Sequence, residues 1–382
     1  MRRRERDYRF ALIMTAGFVP PPYPYDRLDR FKPLAEALPG GMVDLSIGTP
    51  CDAPPADVVA MLAASNSERG YPPSIGTAPL RNAARGWMAR RFGVDVPITQ
   101  IAACVGTKEF VATTAQLLHL RSPNRDTVLF PAVAYPTYEM SATLSGCRAV
   151  PVRNTAAGGL DLASIDPADA ARALMLWVNS PNNPTGALDD LPAAAAWGRA
   201  NAVPVFSDEC YAEFTWDGPA RTILEAGTDG VIALHSLSKR SNLAGLRIGF
   251  YAGDAELVEY LQEVRKHMGM LVPGPVQAAA TVALGDDEHV VVQRDRYLRR
   301  LDTLSTALAK WSGLDVRMPA GGFYLWFDAE DGWAFAEQFA RHAGALVSPG
   351  DFYGAGGANN VRVAVVQPDD RIDLVIQRLG EN

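Results

Sequence analysis

The chain has 382 residues, of which 48% are hydrophobic and 21% are charged, and its formal net charge is −7. This length allows two domains or one large α/β domain with a smaller companion, and either can bury a substantial core. No apolar run approaches the roughly 20 residues that a membrane helix needs, which argues against a membrane protein. The negative charge argues against a general nucleic-acid binder. We therefore expect neither nucleic acid nor a membrane as partner.

The first residues, MRRRERDYR, form a basic tail unlike the rest of the chain. We interpret them as an extension or an over-long start before Met14. They lack the apolar core and cleavage site of a secretory signal. The cysteines are scattered without metal-ligand spacing, so we expect buried thiols in a reducing cytoplasm and no metal site. They are Cys51, Cys104, Cys147 and Cys210.

From about Asp44 onward, short apolar runs alternate with alanine-rich helical stretches. Strands this uniformly apolar are usually covered on both faces, as in a parallel sheet wrapped by helices. We therefore predict an α/β fold whose large domain has three layers around a mostly parallel sheet. The predicted strands are Val128–Phe130, Leu174–Asn179, Val203–Asp208, Val231–Ser236 and Arg247–Ala252.

The C-terminal third has a different pattern. Helical stretches after Asp254 lead to a glycine-punctuated segment at Gly321–Glu330 and a last strand at Val361–Val366. This pattern predicts a smaller α+β domain, which we expect the N-terminal segment to complete. The predicted boundaries are 1–45 for the N-terminal arm and part of the small domain, 46–275 for the large domain, and 276–382 for the C-terminal small domain.

Polar residues follow the predicted strands at their carboxyl ends. NSPNNPTG, residues Asn179–Gly186, follows one strand, Asp208 ends the next, and Ser236, Ser238 and Lys239 follow a third. In a parallel sheet with helical crossovers these ends face one crevice where ligands collect. Alone, the first cluster is a good turn, Asp208 a helix N-cap and Lys239 a surface charge. Their order along the chain favours one shared site.

The motifs resemble, in sequence and order, those of the fold-type I, pyridoxal-phosphate-dependent aminotransferases of class I/II. The similarity covers nearly the whole chain after the first dozen or so residues. The motifs are LSIGTP, YPPSIGTAPLR, VGTKE, AYPTY, NSPNNPTG, SDECYAEF, SLSKRSNLAGLRIGF, GGFYLW and NNVRVAV. The resemblance implies pyridoxal 5′-phosphate as cofactor and amino and keto acids as substrates.

The resemblance also implies roles for individual residues. Lys239 would form the Schiff base with the cofactor and then move the proton from the substrate Cα to C4′. Asp208 would keep the pyridine nitrogen protonated. Tyr211 and Asn183 would hydrogen-bond the phenolic oxygen O3′, and Tyr135 would stack on the ring. These residues would hold and tune the cofactor ring.

The cofactor phosphate needs hydrogen-bond donors and positive charge, which a helix N-terminus provides. The resemblance places the phosphate on VGTKE, on two serines, and on an arginine suited to bidentate contact. A tyrosine in GYPPSIG would reach it from the neighbouring subunit, which implies a homodimer. The proposed contacts are Gly106, Thr107, Lys108, Ser236, Ser238, Arg247 and, across the interface, Tyr71. Ser238 has the alternative role of capping the turn.

Three positions match family contacts to the substrate. Arg362 matches the arginine that grips the α-carboxylate, since its fork of donors fits a planar carboxylate. Gly48 aligns with a glycine whose backbone approaches the same carboxylate, and Asn183 belongs to the same group. Arg362 could instead be a surface arginine, and Gly48 could simply belong to a turn.

The widest resemblance is to the actinobacterial-type N-succinyldiaminopimelate aminotransferases. It implies a place in the diaminopimelate branch of lysine synthesis, with glutamate as amino donor. A long dianionic acceptor should need a second cationic contact. By charge alone, Arg265, Lys266 and His267 are the candidates for that contact.

Other functions remain open from the sequence. The enzyme could prefer aspartate, an aromatic amino acid or LL-diaminopimelate, because a few residues at the rim of a site set specificity. A pyridoxal-phosphate-dependent C–S β-lyase would keep the fold and change the reaction. A regulator's sensor domain would need a separate DNA-binding domain, and the 13 residues before Met14 are too few to form one.

Overall fold

The computed structural model describes residues 17–381, so the basic tail and Met14 lie outside the described residues. The strands in chain order are β1 (Val43–Asp44), β2 (Ile101–Cys104), β3 (Thr127–Pro131), β4 (Arg148–Val152), β5 (Ala173–Asn179), β6 (Val205–Asp208), β7 (Val231–Ser236), β8 (Gly249–Gly253), β9 (Tyr324–Asp328), β10 (Ala345–Leu346), β11 (Ser348–Pro349) and β12 (Asn360–Ala364).

The helices surround these strands, and a 3₁₀ segment at Pro24–Phe31 precedes the first of them. The α-helices are α1 (Lys32–Glu36), α2 (Ala56–Ala64), α3 (Ala78–Phe92), α4 (Thr107–Arg121), α5 (Thr137–Leu144), α6 (Pro167–Arg172), α7 (Leu191–Asn201), α8 (Leu237–Arg240), α9 (Ala255–His267), α10 (Gly274–Gly285), α11 (Glu288–Ser312), α12 (Gly332–Ala343) and α13 (Asp369–Gly380). No helix within residues 17–381 has the length and apolar character needed to cross a membrane.

The large sheet has seven strands in the order β2-β8-β7-β6-β5-β3-β4. Strands β3 to β7 pair in parallel, and β8 is antiparallel to both β7 and β2. All seven residues of β5 are buried, and apolar clusters cover both faces of the sheet. The predicted α/β fold with a mostly parallel sheet is therefore confirmed.

Two of the predicted strands begin two residues later than expected. The strand predicted at Val203–Asp208 starts at Val205, and the one predicted at Arg247–Ala252 starts at Gly249 and runs antiparallel. The second difference has a local cause: Arg247 has φ of 54°, a left-handed conformation that an extended strand cannot contain. The chain turns at this residue and comes back along β7.

A second group of elements packs around its own core. Strands β9, β12 and β11 form an antiparallel sheet, and β1 pairs in parallel with β10 through Val43 and Ala345. The core of this group combines residues from near both ends of the described chain, from Leu28 to Leu379. This agrees with a small domain built from both chain segments, although the boundaries 1–45, 46–275 and 276–382 stay our proposal.

Candidate active site

A cavity of ≈ 390 Å³ lies where the carboxyl ends of β5, β6 and β7 face the amino terminus of α4. This is the crevice in which a sheet of this topology collects ligands. Among the residues that line it are most of the predicted site residues: Gly48, Thr107, Lys108, Tyr135, Asn183, Asp208, Tyr211, Ser236, Ser238, Lys239, Arg247 and Arg362. Gly106 lies directly behind Arg247.

Another cavity, of ≈ 340 Å³, lies at the opposite edge of the sheet. It is lined by Arg121, Arg125 and Arg199, whose guanidinium groups donate to the backbone carbonyls of neighbouring segments. Because these guanidinium groups are already hydrogen-bonded, they stabilise the backbone segments that surround them. None of the predicted site residues lines this second cavity.

Lys239 lies in the short helix α8, directly after β7, and its Nζ donates to the carbonyl oxygen of Gly48. Burial lowers the pKa of its amine to about 8, and the positive charges of Arg362 and Arg247 act in the same direction. A substantial fraction of the amine is therefore neutral near physiological pH. A neutral amine is the form that attacks an aldehyde.

Asp208 ends β6, and its carboxylate is held from two sides. The Tyr138 hydroxyl donates to Oδ2 at 2.9 Å, and the backbone N–H of Cys210 donates to Oδ1 at 3.3 Å. Burial raises the pKa of Asp208, while hydrogen bonds from Cys210 and Tyr138 oppose the rise. The Asn179 amide also donates to the Asp208 carbonyl at 2.8 Å, which ties the end of β5 to the end of β6.

Tyr138 and Asn179 were not among the predicted site residues. Both lie in motifs that carry the resemblance, AYPTY and NSPNNPTG. Tyr138 follows Tyr135 by three residues, and both rings line the cavity in an edge-to-face contact. The spacing was visible in the sequence, but the Asp208 contact depends on how α5 packs over the sheet.

The amino terminus of α4 lies beside Arg247. Gly106, which precedes the helix, has φ of 77°, and a Cβ at this position would lie 2.7 Å from Cζ of Arg247. The Arg247 guanidinium also donates to the Ala244 carbonyl at 2.9 Å. Helix N–H groups and a guanidinium thus converge in a cradle that fits a phosphate group.

The two serines differ in what their side chains do. Ser236 is the N-cap of α8, and its Oγ accepts a hydrogen bond from the Ser238 backbone N–H at 3.2 Å. Ser238 itself lines the cavity. The alternative that Ser238 caps the turn is therefore wrong, because Ser236 is the residue that does so.

Arg362, on β12, is buried under the other wall of the cavity with 1% of its surface exposed. Its Nη1 donates to Asn183 Oδ1 at 2.8 Å, and its Nη2 donates to the Tyr25 hydroxyl at 3.2 Å. Its Nε is buried and has no hydrogen-bond partner among residues 17–381. Arg362 lines the cavity, where the fork of donors of a guanidinium suits an anionic ligand.

Tyr211 and Tyr324 meet beside Arg362. Their hydroxyl oxygens are 2.9 Å apart, and the Arg362 guanidinium carbon lies 4.1 Å from the centre of the Tyr324 ring. Burial raises the pKa of Tyr211 well above its ordinary value and that of Tyr324 to about 12. Both phenols therefore keep their protons at neutral pH. Tyr324, in GGFYLW, was not predicted as a site residue.

Lys108 has an exposed side chain at the mouth of the cavity. Its Nζ is 3.4 Å from the Tyr23 hydroxyl and 5.0 Å from the centre of that ring. It also lies 5.9 Å from the centre of the Tyr135 ring. The predicted role of Lys108 used its backbone, and the structure adds a cationic side chain among aromatic rings.

The three cations suggested for a distal carboxylate do not line this cavity. Arg265 is buried and forms a bidentate ion pair with Glu109 at 2.7 and 2.6 Å, which ties α9 to α4. Lys266 and His267 are exposed at the end of α9. Within one chain, the suggestion that these residues contact the substrate is wrong.

Tyr71 is 97% exposed, and it does not line the cavity. Its predicted contact is with the cofactor phosphate of a neighbouring subunit. That contact stays a prediction.

The sequence profile of the family described as aminotransferase class I and II matches residues 40–379. The chain belongs to this family. The 4-dedimethylamino-4-oxo-anhydrotetracycline transaminase OxyQ of Streptomyces rimosus is 42% identical over 368 residues, which cover 94% of this chain and 99% of that protein. An LL-diaminopimelate aminotransferase of Aquifex aeolicus is 34% identical, covering 94% of this chain and 96% of that protein.

A solved structure gives the same result. That of a probable N-succinyldiaminopimelate aminotransferase from Thermus thermophilus matches this aminotransferase with a TM-score of 0.83 at 28% identity, over 94% of this chain and 99% of that one. Members of the family use pyridoxal 5′-phosphate, which is therefore the cofactor of this chain. The cavity fits it, because it offers a partly neutral lysine, a buried carboxylate, and a cradle bordered by the amino terminus of α4 and the Arg247 guanidinium.

Proposed function

We propose that this aminotransferase moves an amino group from glutamate to the keto form of N-succinyl-LL-2,6-diaminopimelate, or in reverse from N-succinyl-LL-2,6-diaminopimelate to 2-oxoglutarate, in the diaminopimelate branch of lysine synthesis. One observation carries the reaction type: Lys239, whose pKa is lowered, and the buried Arg362 line the same cavity. The lysine supplies the amine that this chemistry needs. The arginine supplies the donor that an α-carboxylate needs.

When bound, pyridoxal 5′-phosphate supplies an aldehyde for Schiff-base chemistry and a ring that accepts electrons from the substrate. Lys239 would hold the aldehyde carbon and later carry the proton between the substrate Cα and C4′. Asp208 would hold the proton on the pyridine nitrogen. Tyr211 and Asn183 would donate to the phenolic oxygen, and Tyr135 would cover one face of the ring.

The remaining predicted contacts would hold the two charged ends of the ligands. The phosphate would lie at the amino terminus of α4 and beside α8, against Gly106, Thr107, Lys108, Ser236, Ser238 and Arg247. Arg362 would bind the α-carboxylate of the substrate, with Gly48 and Asn183 at its side. This arrangement is supported by the lining of one cavity by nearly all of these residues.

Lys108 supports a substrate with a second anionic end. Its exposed amine lies at the cavity mouth, next to the Tyr23 ring. We propose that this amine takes the place of Arg265, Lys266 and His267 as the cationic contact for a distal carboxylate. A diaminopimelate derivative offers such a carboxylate, and the names of the Aquifex and Thermus proteins point to the same class of substrate.

The aromatic rings at the mouth favour a second candidate. Tyr23, Tyr25 and Tyr135 line the same cavity, and the relative at 42% identity is named as an anhydrotetracycline transaminase. An enzyme with this rim could accept an aromatic keto compound in place of the succinylated one. Lys108 would then contribute only to the ring contacts.

The decisive experiment follows the absorbance of the purified holoenzyme during incubation with glutamate. Conversion to the pyridoxamine form with release of 2-oxoglutarate supports transamination. In a parallel incubation with cystathionine, release of pyruvate and ammonia would support the β-lyase. A panel of acceptors compared by kcat/KM then sets the specificity. It includes the keto forms of N-succinyl-diaminopimelate, LL-diaminopimelate, aspartate and an aromatic amino acid. A preference for the aromatic acceptor would exclude the proposed substrate.

We also propose that the enzyme acts as a cytoplasmic homodimer. Tyr71 is almost fully exposed in one chain, which agrees with a role in a neighbouring subunit. Sedimentation of the holoenzyme measures the assembly. Mixing inactive Lys239→Ala and Tyr71→Ala chains tests the shared site, because a mixed dimer should regain one site whose Lys239 and Tyr71 are both native.

A further inference from the structure

Tyr324 contacts three parts of the cavity at once. Its hydroxyl oxygen is 2.9 Å from that of Tyr211, and its ring lies 4.1 Å under the Arg362 guanidinium carbon. A Cβ at Gly48 would lie 2.7 Å from its Cζ, so the phenol fills the space that Gly48 leaves open. The Gly48 carbonyl in turn accepts from Lys239. One side chain on β9 therefore adjoins residues at both ends of the site.

We propose that Tyr324 is a positioning residue that orients the Tyr211 hydroxyl toward the cofactor and the Arg362 guanidinium toward the substrate carboxylate. This inference rests on the proposed roles of Tyr211 and Arg362. It adds a residue that connects the cofactor contacts to the substrate contact.

The direction of the hydrogen bond follows from counting protons. A phenol has one proton to donate and an oxygen that can accept. When Tyr211 donates its proton to the cofactor oxygen, its contact with Tyr324 can persist only if Tyr324 is the donor. A donor behind Tyr211 makes Tyr211 a stronger donor in turn, because hydrogen bonds in a chain polarise one another.

The ring of Tyr324 has a separate task. It supports Arg362 through a cation–π contact, and this contact needs the ring and not the hydroxyl. The titratable and charged groups that act on Tyr211 are Tyr324, Cys210 and Arg362. Removing only the hydroxyl of Tyr324 therefore changes one of these groups and leaves the guanidinium supported.

The test compares Tyr324→Phe, Tyr324→Leu and a control, Tyr251→Phe, by pH titration of the lysine-bound cofactor absorbance. Tyr251 is a buried tyrosine on β8 whose hydroxyl has no hydrogen-bond partner among residues 17–381 and which does not line the cavity. Donation to the cofactor oxygen favours its ionised form and lowers the titration midpoint. Tyr324→Phe should therefore raise that midpoint by roughly 0.4 to 1 pH unit.

The kinetic constants separate the two tasks. Tyr324→Phe should lower kcat severalfold and leave the KM for glutamate within about twofold, because the ring still supports Arg362. Tyr324→Leu should also raise the KM for glutamate and for 2-oxoglutarate. Tyr251→Phe should change neither constant and should not move the midpoint.

Two outcomes would overturn the proposal. One is a midpoint for Tyr324→Phe equal to those of the wild type and Tyr251→Phe, and the other is an equal rise in KM for both Tyr324 variants. If Tyr324→Leu fails to fold, Tyr324→Phe decides the question, since phenylalanine keeps the ring and its packing. Failure of the wild type to react with glutamate would contradict the proposed function instead, and the titration would still test Tyr324.

Discussion

The guanidinium group of Arg247 lies against the Cα of Gly106, with no room between them for a side chain on the glycine. The two residues come from different elements, the start of α4 and the turn before β8. Both have positive φ, 77° for Gly106 and 54° for Arg247. A non-glycine residue in this conformation costs of order 1 kcal/mol or more. The unfavourable conformation of Arg247 thus occurs where its guanidinium lies beside the N–H groups that begin α4.

Gly106→Ala should weaken cofactor binding. The new Cβ would lie 2.7 Å from Cζ of Arg247 and would push the guanidinium out of the cradle. Loss of a charge-assisted phosphate contact should raise the Kd of pyridoxal 5′-phosphate by ~10-fold or more. Equilibrium titration of the cofactor-free protein measures this constant.

Gly93→Ala is the matched control for that variant. Gly93 also has positive φ, 71°, but a Cβ there would meet no atom within 4 Å. Gly93→Ala should lose ~1 kcal/mol of stability from its left-handed backbone, without any loss of cofactor affinity. Gly106→Ala should lose more stability, because ψ of 149° places Gly106 in a region that essentially only glycine adopts. Equal affinities for the two variants would show that the Gly106 and Arg247 contact does not form the phosphate site.

Arg362→Ala should raise the KM for both the amino donor and the keto acceptor, since both present an α-carboxylate to the same guanidinium. The loss in kcat/KM should be ~30-fold or more, because the pair is desolvated. Arg362→Lys keeps the positive charge but loses the planar fork of donors, so its kcat/KM should lie between those of the wild type and Arg362→Ala. Steady-state kinetics with glutamate and 2-oxoglutarate measure these values, and Arg341→Ala, at an exposed site, serves as control. A KM unchanged for both substrates would show that Arg362 does not bind them.

The attachment of pyridoxal 5′-phosphate to the cofactor-free protein should depend on pH through Lys239. Its pKa is lowered to about 8, so the neutral amine fraction rises about tenfold per pH unit below that value and levels off above it. An ordinary lysine would keep gaining reactivity up to about pH 10. Stopped-flow absorbance measures the rate, and Lys239→Ala should show no attachment band at any pH. A rate that still rises tenfold per unit above pH 9 would contradict the lowered pKa.

Arg240, the residue after Lys239, should contribute strongly to stability. Its buried guanidinium pairs with Glu213 at 3.0 Å and with Asp287 at 2.8 Å, and it donates to the Ala283 carbonyl at 2.6 Å. Arg240→Ala should lower the free energy of unfolding by roughly 3–5 kcal/mol, because it removes one partner of a buried pair. Urea denaturation measures this loss.

The exposed ion pair of Arg341 with Glu337 gives the comparison for Arg240. More than half of the Arg341 side chain is exposed, so Arg341→Ala should change the free energy of unfolding by no more than ~0.5 kcal/mol. A loss below about 1 kcal/mol for Arg240→Ala would show that the network around α8 is not stabilising.

The sequence was sufficient to predict the fold class and the location of the cavity. Strand β5 is buried along its whole length, so its apolar run indicated a covered strand directly. Asp208 and Lys239 follow neighbouring strands, and the topology of a parallel sheet brings such ends together. These predictions needed only local patterns and one general rule about sheets.

Contacts between distant segments could not be predicted in this way. Tyr324 and Tyr211 are separated by 113 positions and meet only because β9 docks beside the turn after β6. The charge of Arg265 gave no indication of which side of α9 it occupies, and its true partner is Glu109 on α4. The turn at Arg247 could not be predicted either. Glycine often indicates a left-handed backbone conformation, whereas arginine gives no such indication in a sequence.

The pairing of β1 with β10 affects how the protein is made. Val43 hydrogen-bonds to the carbonyl of Gly344, and its strand partner is Ala345. A ribosome adding roughly 5–20 residues per second needs about 15–60 s to make the intervening chain. Throughout that interval the early apolar residues, including Leu28 and Phe31, lack most of the core that finally covers them. These early residues can therefore reach their final packing only after nearly the whole chain has been made.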